Sequence, residues 1–135
     1  MKYTIVLILF VLVGCKSIHI SEVNKTLIKK GNPMGSDYIE YNISISSEKD
    51  FYIEDIFIED DDTKLNYYYK DLKTGLSSYQ MLSPFIKGNY SFHFKLEDIT
   101  RMSKKESLVI KMKVDNKIIT KKEFITKRNK SILTK

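Results

Sequence analysis

The chain of 135 residues contains one cysteine, no tryptophan, two histidines, two prolines and five glycines. A disulfide needs two thiols, so an exported domain of this sequence must fold on its core alone. A transition-metal site normally takes more nitrogen and sulfur ligands than His19, His93 and Cys15 supply. We therefore predict no metal centre and no cofactor, and no residue pattern in the chain identifies a catalytic group.

The one cysteine follows a short apolar segment at the amino end. Met1 and Lys2 form a short positive region, residues 3–13 are almost entirely apolar, and Gly14 precedes Cys15. This layout is typical of an export signal. An apolar core of about ten residues is too short for a transmembrane helix, which needs roughly 20. We therefore expect the segment to be removed.

The four residues Leu12-Val13-Gly14-Cys15 resemble the lipobox of bacterial lipoproteins. The resemblance implies cleavage between Gly14 and Cys15, a diacylglyceryl group on the Cys15 thiol and, in some cases, a further acyl chain such as palmitate on the new amino group. Two or three chains hold a protein on a membrane, whereas one chain lets it exchange. The alternative is a plain signal peptide with a chance cysteine.

This interpretation divides the chain into a signal peptide (1–14), a lipidated amino terminus with a short tether (15–21) and one folded domain (22–135). The residues after the cysteine, Lys16-Ser17-Ile18, resemble neither the inner-membrane retention signal nor the surface-export signal of lipoproteins. We therefore expect a lipid-anchored protein of the cell envelope, on the outer membrane and facing the periplasm if the cell has two membranes.

The residue pattern of the domain predicts strands almost throughout. β-Branched and aromatic residues are frequent, and apolar residues alternate with polar ones. The clearest alternating sets are 39–45, 90–96 and 108–114. In residues 51–59 the apolar parity changes, which predicts a β-bulge at Glu54-Asp55. Seven or eight strands with turns between them favour an all-β, antiparallel, immunoglobulin-like sandwich.

Two turns and one aromatic motif refine this prediction. Gly75 is expected to supply a positive φ in the turn that follows Asp71, and Asp115-Asn116 is expected to close a tight hairpin. The sequence Gly88-Asn89-Tyr90 resembles the tyrosine corner of immunoglobulin-like sandwiches, although the cysteine expected two residues later is a phenylalanine. His93 falls on the polar side of its strand, where we expect it to be solvated.

Basic residues are concentrated near the carboxyl end. From residue 101 onward, twelve Lys or Arg residues stand against three acidic ones, while residues 16–100 hold ten basic and fourteen acidic residues. We expect one positive hairpin face that could contact anionic lipid headgroups or polyanionic sugars. Alternatively, these lysines solvate an edge and prevent aggregation. Nucleic-acid binding is not expected, because no recognised motif is present. The lysines concerned are Lys111, Lys113, Lys117, Lys121 and Lys122.

Two function classes remain open. The first is a non-enzymatic binding or structural module with a protein partner in the envelope. The second is a small glycan-binding accessory or hydrolase whose site the sequence does not reveal. Tyr68 is expected to point outward between two inward tyrosines, as an aromatic platform that suits sugar or protein binding; alternatively, it packs under the preceding loop. The acidic run 59–62 could offer oxygens to calcium or simply form a solvated turn.

Overall fold

The computed structural model describes residues 17–30, 35–59, 61–79, 84–125 and 127–134, with backbone alone for 61–64 and 127–134. The predicted signal peptide, the lipobox and Cys15 lie outside the described residues. The described part contains ten strands and one 3₁₀ turn, Ile99–Ser103. The strands are Ile18–Lys30 (β1), Tyr38–Ser47 (β2), Tyr52–Ile58 (β3), Asp61–Lys64 (β4), Tyr68–Asp71 (β5), Ser77–Tyr79 (β6), Gly88–Leu96 (β7), Ser107–Val114 (β8), Lys117–Phe124 (β9) and Lys127–Thr134 (β10).

The strands form two sheets, ordered β10-β1-β2-β7-β5-β6 and β4-β3-β8-β9. Within them, β1-β2-β7-β5 corresponds to strands A-B-E-D of an immunoglobulin domain, and β4-β3-β8-β9 corresponds to C′-C-F-G. The predicted all-β, immunoglobulin-like sandwich is therefore confirmed. All pairs are antiparallel except β10, which follows β9 and pairs in parallel with β1. β1 begins at Ile18, inside the segment that the sequence analysis assigned to the tether.

The core lies between the two sheets and is built from the alternating residues. Ile39, Tyr41 and Ile43 on β2 and Phe92 on β7 are fully buried. Phe92 meets the rings of Tyr67 and Phe85 edge-on, at centroid distances of 5.4 and 5.3 Å. One buried face with period two fixes the register of these strands, because a slip of one residue would expose every core side chain.

The predicted bulge lies in β3. Its pairing with β8 shifts between Ile53 and Asp55, so Glu54 is the extra residue. The shift turns Ile56 and Ile58 into the core, where each is 2 % exposed. The change of parity in the sequence was therefore a correct signal for a bulge.

Backbone conformation confirms both predicted turns. Gly75 has φ +77°, and Asp115 and Asn116 have φ +51° and +60°, the left-handed pair that closes a two-residue hairpin. The Tyr90 hydroxyl donates to the Ile86 carbonyl at 2.6 Å, four residues upstream, as in a tyrosine corner. Tyr90 is the third residue of the strand equivalent to E, whereas the tyrosine corner of immunoglobulin domains belongs to strand F.

The two ends of the sandwich differ in the elements that reach them. At one end, here called the proximal end, β1, β3, β7 and β9 begin and β2, β5 and β8 end. The Glu48 amide there donates to the Ser17 carbonyl at 2.9 Å, and Lys49 pairs with Asp115 at 2.6 Å. At the opposite, distal end, β2 begins, β7 ends and the 3₁₀ turn follows β7. The chain thus enters the domain at the proximal end.

Candidate functional site

A row of polar and aromatic side chains crosses the outer face of the six-stranded sheet. The register places one residue from each of five adjacent strands side by side. Directly paired residues on neighbouring strands lie on the same face and about 4.5–5.5 Å apart. The row therefore forms one continuous surface, here called the outer row. From β1 to β6 its members are Asn24, Asn42, His93, Tyr68 and Tyr79.

His93 is the centre of a hydrogen-bonded cluster in this row. Its Nδ1 lies 3.3 Å from Glu40 Oε1 and also contacts Asn42 Oδ1, while its Nε2 lies 2.8 Å from Ser91 Oγ. Since both groups beside Nδ1 are acceptors, Nδ1 is the ring nitrogen that donates to them. The Tyr68 ring stacks on the imidazole at a centroid distance of 4.8 Å.

Hydrogen bonding sets the protonation of the two groups next to His93. The hydrogen bond from His93 lowers the pKa of Glu40, helped by the Tyr68 hydroxyl, although burial opposes the shift. Burial raises the pKa of Tyr68, and its hydrogen bond to Glu40 at 3.0 Å adds to the rise. The cluster is therefore an ionised carboxylate held by a neutral phenol and an imidazole N–H.

The structure corrects the expectation that His93 is solvated. Only 21 % of its side chain is exposed, and hydrogen bonds with Ser91 and Asn42 occupy both ring nitrogens. The alternation placed His93 correctly on the outer face. It could not show that Glu40, far away in sequence, would stand beside it.

Next to the β5–β6 part of the outer row lies a cavity of about 490 Å³. Tyr68 and Tyr79, which are directly paired on β5 and β6, provide aromatic walls, and Tyr79 is 81 % exposed. Ligand sites commonly occupy 300–1,000 Å³ and combine aromatic walls with a few polar groups. The remaining lining residues are Asn66, Tyr67, Ser77, Ser78, Phe94 and Lys95.

The contacts of Ser91, His93 and Glu40 resemble in outline a nucleophile, base and acid. An acyl-transfer site also needs N–H donors aimed at the developing oxyanion. Ser91 lies on β7, which pairs with β2 on one side and β5 on the other, so the ladders use its backbone groups. The Ser91 backbone N–H is therefore engaged within the sheet.

A second polar cluster is buried between the sheets. Lys25 is fully buried, and its ammonium donates to the carbonyls of Arg101 (2.5 Å) and Lys104 (2.8 Å) and to Glu106 Oε1 (2.9 Å). Glu106 also accepts from the Tyr41 hydroxyl and from Arg101, each at 2.8 Å. Burial acts to raise the pKa of Glu106, but these donors outweigh it and the net shift is downward. This cluster fastens the 3₁₀ turn to β1, which is a structural role.

The predicted basic face is divided by the register of the β8–β9 hairpin. Lys111, Lys113 and Lys122 lie on the outer face of the four-stranded sheet, whereas Lys117 and Lys121 are paired with the inward residues Val114 and Ile110. Lys121 donates to the Ile18 carbonyl at 2.8 Å, and Lys122 pairs with Glu59 at 2.7 Å. These two cations are thus already engaged within the domain.

No group of three His, Cys, Asp or Glu residues in the described ranges could hold a metal ion. The same residues include no helix with the length and hydropathy needed to cross a bilayer. The chain matches no protein-family model, no curated protein and no solved structure.

Proposed function

We propose that this chain is a lipid-anchored protein of the bacterial cell envelope whose sandwich acts as a non-enzymatic binding module. The lipobox resemblance at Leu12–Cys15 supports the anchor. The cavity beside the outer row, with Tyr79 81 % exposed on its wall, carries the proposal of binding. Such a large exposed aromatic side chain next to an ordered polar cluster is typical of recognition surfaces, where tyrosine is enriched.

Order in the outer row supports recognition over simple solvation. Asn42 donates to Asn24 at 3.0 Å, and Glu40 fixes the Tyr68 hydroxyl. Side chains that are already held in place lose less rotamer entropy when a ligand binds, so a preorganised surface binds more tightly than a flexible one of the same area. The partner in this first interpretation is another protein of the envelope.

A second candidate function is glycan binding, and the cavity favours it specifically. Tyr68 and Tyr79 offer ring faces that a sugar ring can stack on, while Asn66, Ser77 and Lys95 offer hydrogen-bonding groups for hydroxyls or a carboxylate. A volume of about 490 Å³ is sufficient for a short saccharide rather than a whole protein loop. The same residues would serve either partner, so the experiment must separate them.

The anchor is tested by metabolic lipid labelling and intact-mass analysis of the mature protein. We expect a lipid-modified Cys15 at the amino terminus, and we expect Cys15→Ser to lose the label and accumulate as uncleaved precursor. A free Cys15 thiol in the wild-type protein, or a mature end at another residue, would refute the anchor.

Binding is tested by crosslinking and affinity recovery from detergent-solubilised membranes, alongside retention on peptidoglycan and polysaccharide. We compare Tyr79→Ala with the matched control Phe124→Ala, which changes an aromatic residue that is 53 % exposed on the other sheet. A protein partner that only Tyr79→Ala loses supports the first function. Glycan retention that only Tyr79→Ala loses supports the second, and equal behaviour of both variants contradicts a site at Tyr79.

A further inference from the structure

Exposed apolar side chains are concentrated at the proximal end of the sandwich. Of the large apolar residues exposed in the described ranges, five lie there, two lie at the distal end and Tyr79 lies part-way along the six-stranded sheet. Isolated exposed apolar residues are ordinary, whereas a group of them at one end marks an interaction surface. The proximal five, here called the proximal tips, are Tyr52 (39 % exposed), Leu72 (51 %), Leu76 (71 %), Ile86 (68 %) and Ile118 (68 %).

The tips come from different loops, and the backbone holds these loops together. The Leu72 amide donates to the Asn89 carbonyl at 3.0 Å, which joins the β5–β6 turn to the start of β7. The Lys87 amide donates to Asp50 at 2.8 Å, which joins the residues before β7 to the β2–β3 loop. The exposed Lys49–Asp115 pair, at 2.6 Å, connects this group to the β8–β9 turn.

The position at which the chain enters the domain indicates what the proximal tips contact. The Ser17 carbonyl is bound by the Glu48 amide, so the chain enters at the proximal end. Cys15 is two residues earlier, and two residues of extended chain span about 7 Å at most. If Cys15 carries lipid, as the proposed function holds, its backbone lies at the headgroups. The proximal tips are then held at a high effective concentration next to the bilayer.

The charges at this end suit a lipid surface, although charge alone would not suffice. Lys49, Lys87 and Lys117 are exposed beside the tips, but the acidic residues Glu48 and Asp115 are exposed there too. Lysine can bury its methylene stem and keep its ammonium among headgroups. The attraction must therefore come mainly from the apolar tips, with the lysines compatible with anionic or zwitterionic lipid.

We propose that the proximal end of the sandwich docks on the lipid bilayer, with Leu76, Ile86 and Ile118 inserted at the headgroup boundary. This inference rests on the lipid anchor of the proposed function and adds an orientation to it. It differs from the prediction based on the basic hairpin, because only Lys113 and Lys117 of those five lysines lie at this end. Lys121 and Lys122 take no part.

The test places a polarity-sensitive fluorophore at single sites in the mature lipidated protein, reconstituted into phosphatidylcholine vesicles with or without phosphatidylglycerol. Lipidation blocks the Cys15 thiol, so Leu76→Cys, Ile86→Cys and Ile118→Cys each offer one reactive thiol. The matched controls are Ile99→Cys and Phe124→Cys at the distal end, exposed by 43 and 53 %, and Tyr79→Cys part-way along the six-stranded sheet, exposed by 81 %. All six sites are exposed, so the changes should not disturb folding.

We expect blue-shifted emission at the three tips and quenching there by spin-labelled lipid, with aqueous emission at the three controls. Salt at about 1 M, which shortens the screening length to about 3 Å, should leave the tip signal largely intact if apolar insertion dominates. Water-like emission at all three tips would overturn the proposal and leave a protein partner as their cover.

A second measurement needs no substitution. In the vesicle-bound wild-type protein, acetylation of Lys87 and Lys117 by a water-soluble reagent should be several-fold slower than acetylation of the exposed distal lysines Lys95 and Lys105. Equal rates would contradict docking. Failure of the anchor is recognised separately, because a protein without lipid would not sediment with the vesicles and would show a free Cys15 thiol.

Discussion

The buried lysine of β1 gives the sharpest test of how the domain is held together. Lys25 is fully buried and has three acceptors for its three N–H groups: two carbonyls of the 97–106 connection and the Glu106 carboxylate. An ammonium group is buried only when its charge and its donors are satisfied, because the desolvation cost is otherwise several kcal/mol. The proposed change is Lys25→Met, which keeps most of the side-chain volume and removes the charge.

The expected loss follows from what the variant leaves behind. Breaking a buried ion pair by removing one partner costs about 3–5 kcal/mol. Glu106 still accepts from Tyr41 and Arg101, which stabilise its charge, so we expect the lower part of this range, about 3 kcal/mol. With a urea m value of about 2 kcal/mol/M, the unfolding midpoint should fall by about 1.5 M. The expected loss is a large share of the free energy of unfolding of a whole domain, which is roughly 5–15 kcal/mol.

The assay is equilibrium urea unfolding of the mature protein, followed by circular dichroism. The matched control is Lys29→Met, an exposed position on the same strand, which should change stability by no more than about 0.5 kcal/mol. The double variant Lys25→Met/Glu106→Gln should lose clearly less stability than the sum of its single variants, because the two groups interact directly. Equal midpoints for Lys25→Met and Lys29→Met, or strict additivity in the double variant, would refute a satisfied buried ammonium.

Three further predictions use the same unfolding assay. Phe92→Ala should cost about 3–5 kcal/mol, because it empties the centre of the aromatic core; a loss below about 1 kcal/mol would contradict the assigned faces. Tyr90→Phe should cost about 1 kcal/mol through the lost hydrogen bond to Ile86, and an unchanged midpoint would argue against that bond. The lowered pKa of Glu106 contributes stability that is fully present above the ordinary glutamate pKa of about 4.3 and is lost as pH falls through the lowered value. Glu106→Gln should flatten this acid dependence, and an equally steep profile would contradict it.

Alternation made the core predictable. A strand with one buried face must repeat every two residues, so the inward positions of β2 and β7 could be read directly from the sequence. The bulge at Glu54 was predictable for the same reason, since a parity change in an apolar strand needs an extra residue. Both patterns lie within one strand, so they can be recognised without knowing which strands pair with it.

The polar clusters were not predictable, because they depend on pairing between distant strands. Glu106 lies 81 residues after Lys25, so no local pattern around Lys25 indicates that the two side chains form a pair. Glu22 has φ +48° beside an irregular register in β1, which further obscures which side chains of that strand point inward. The outer row likewise needs the registers of five strands at once.

The sequence alone could have shown that the lysines of the basic hairpin lie on two different faces. Lys121 and Lys122 are neighbours on one strand, and neighbouring residues of a strand point to opposite faces. The two lysines therefore could not share a positive face. Only the contacts of Lys121 with Ile18 and of Lys122 with Glu59 needed the structure.

Docking at the proximal end would determine where the cavity lies relative to the membrane. Ser77, which lines the cavity, directly follows the proximal tip Leu76, and Tyr79 is the third residue after Leu76; since a strand rises about 3.3 Å per residue, Tyr79 stands about 10 Å from that tip. If the proximal tips rest on the membrane, the cavity opens on the outer face of the six-stranded sheet, close above the headgroups. A sandwich that lay flat on its basic face would instead bring Phe57 and Val109 to the lipid, and these side chains are largely covered.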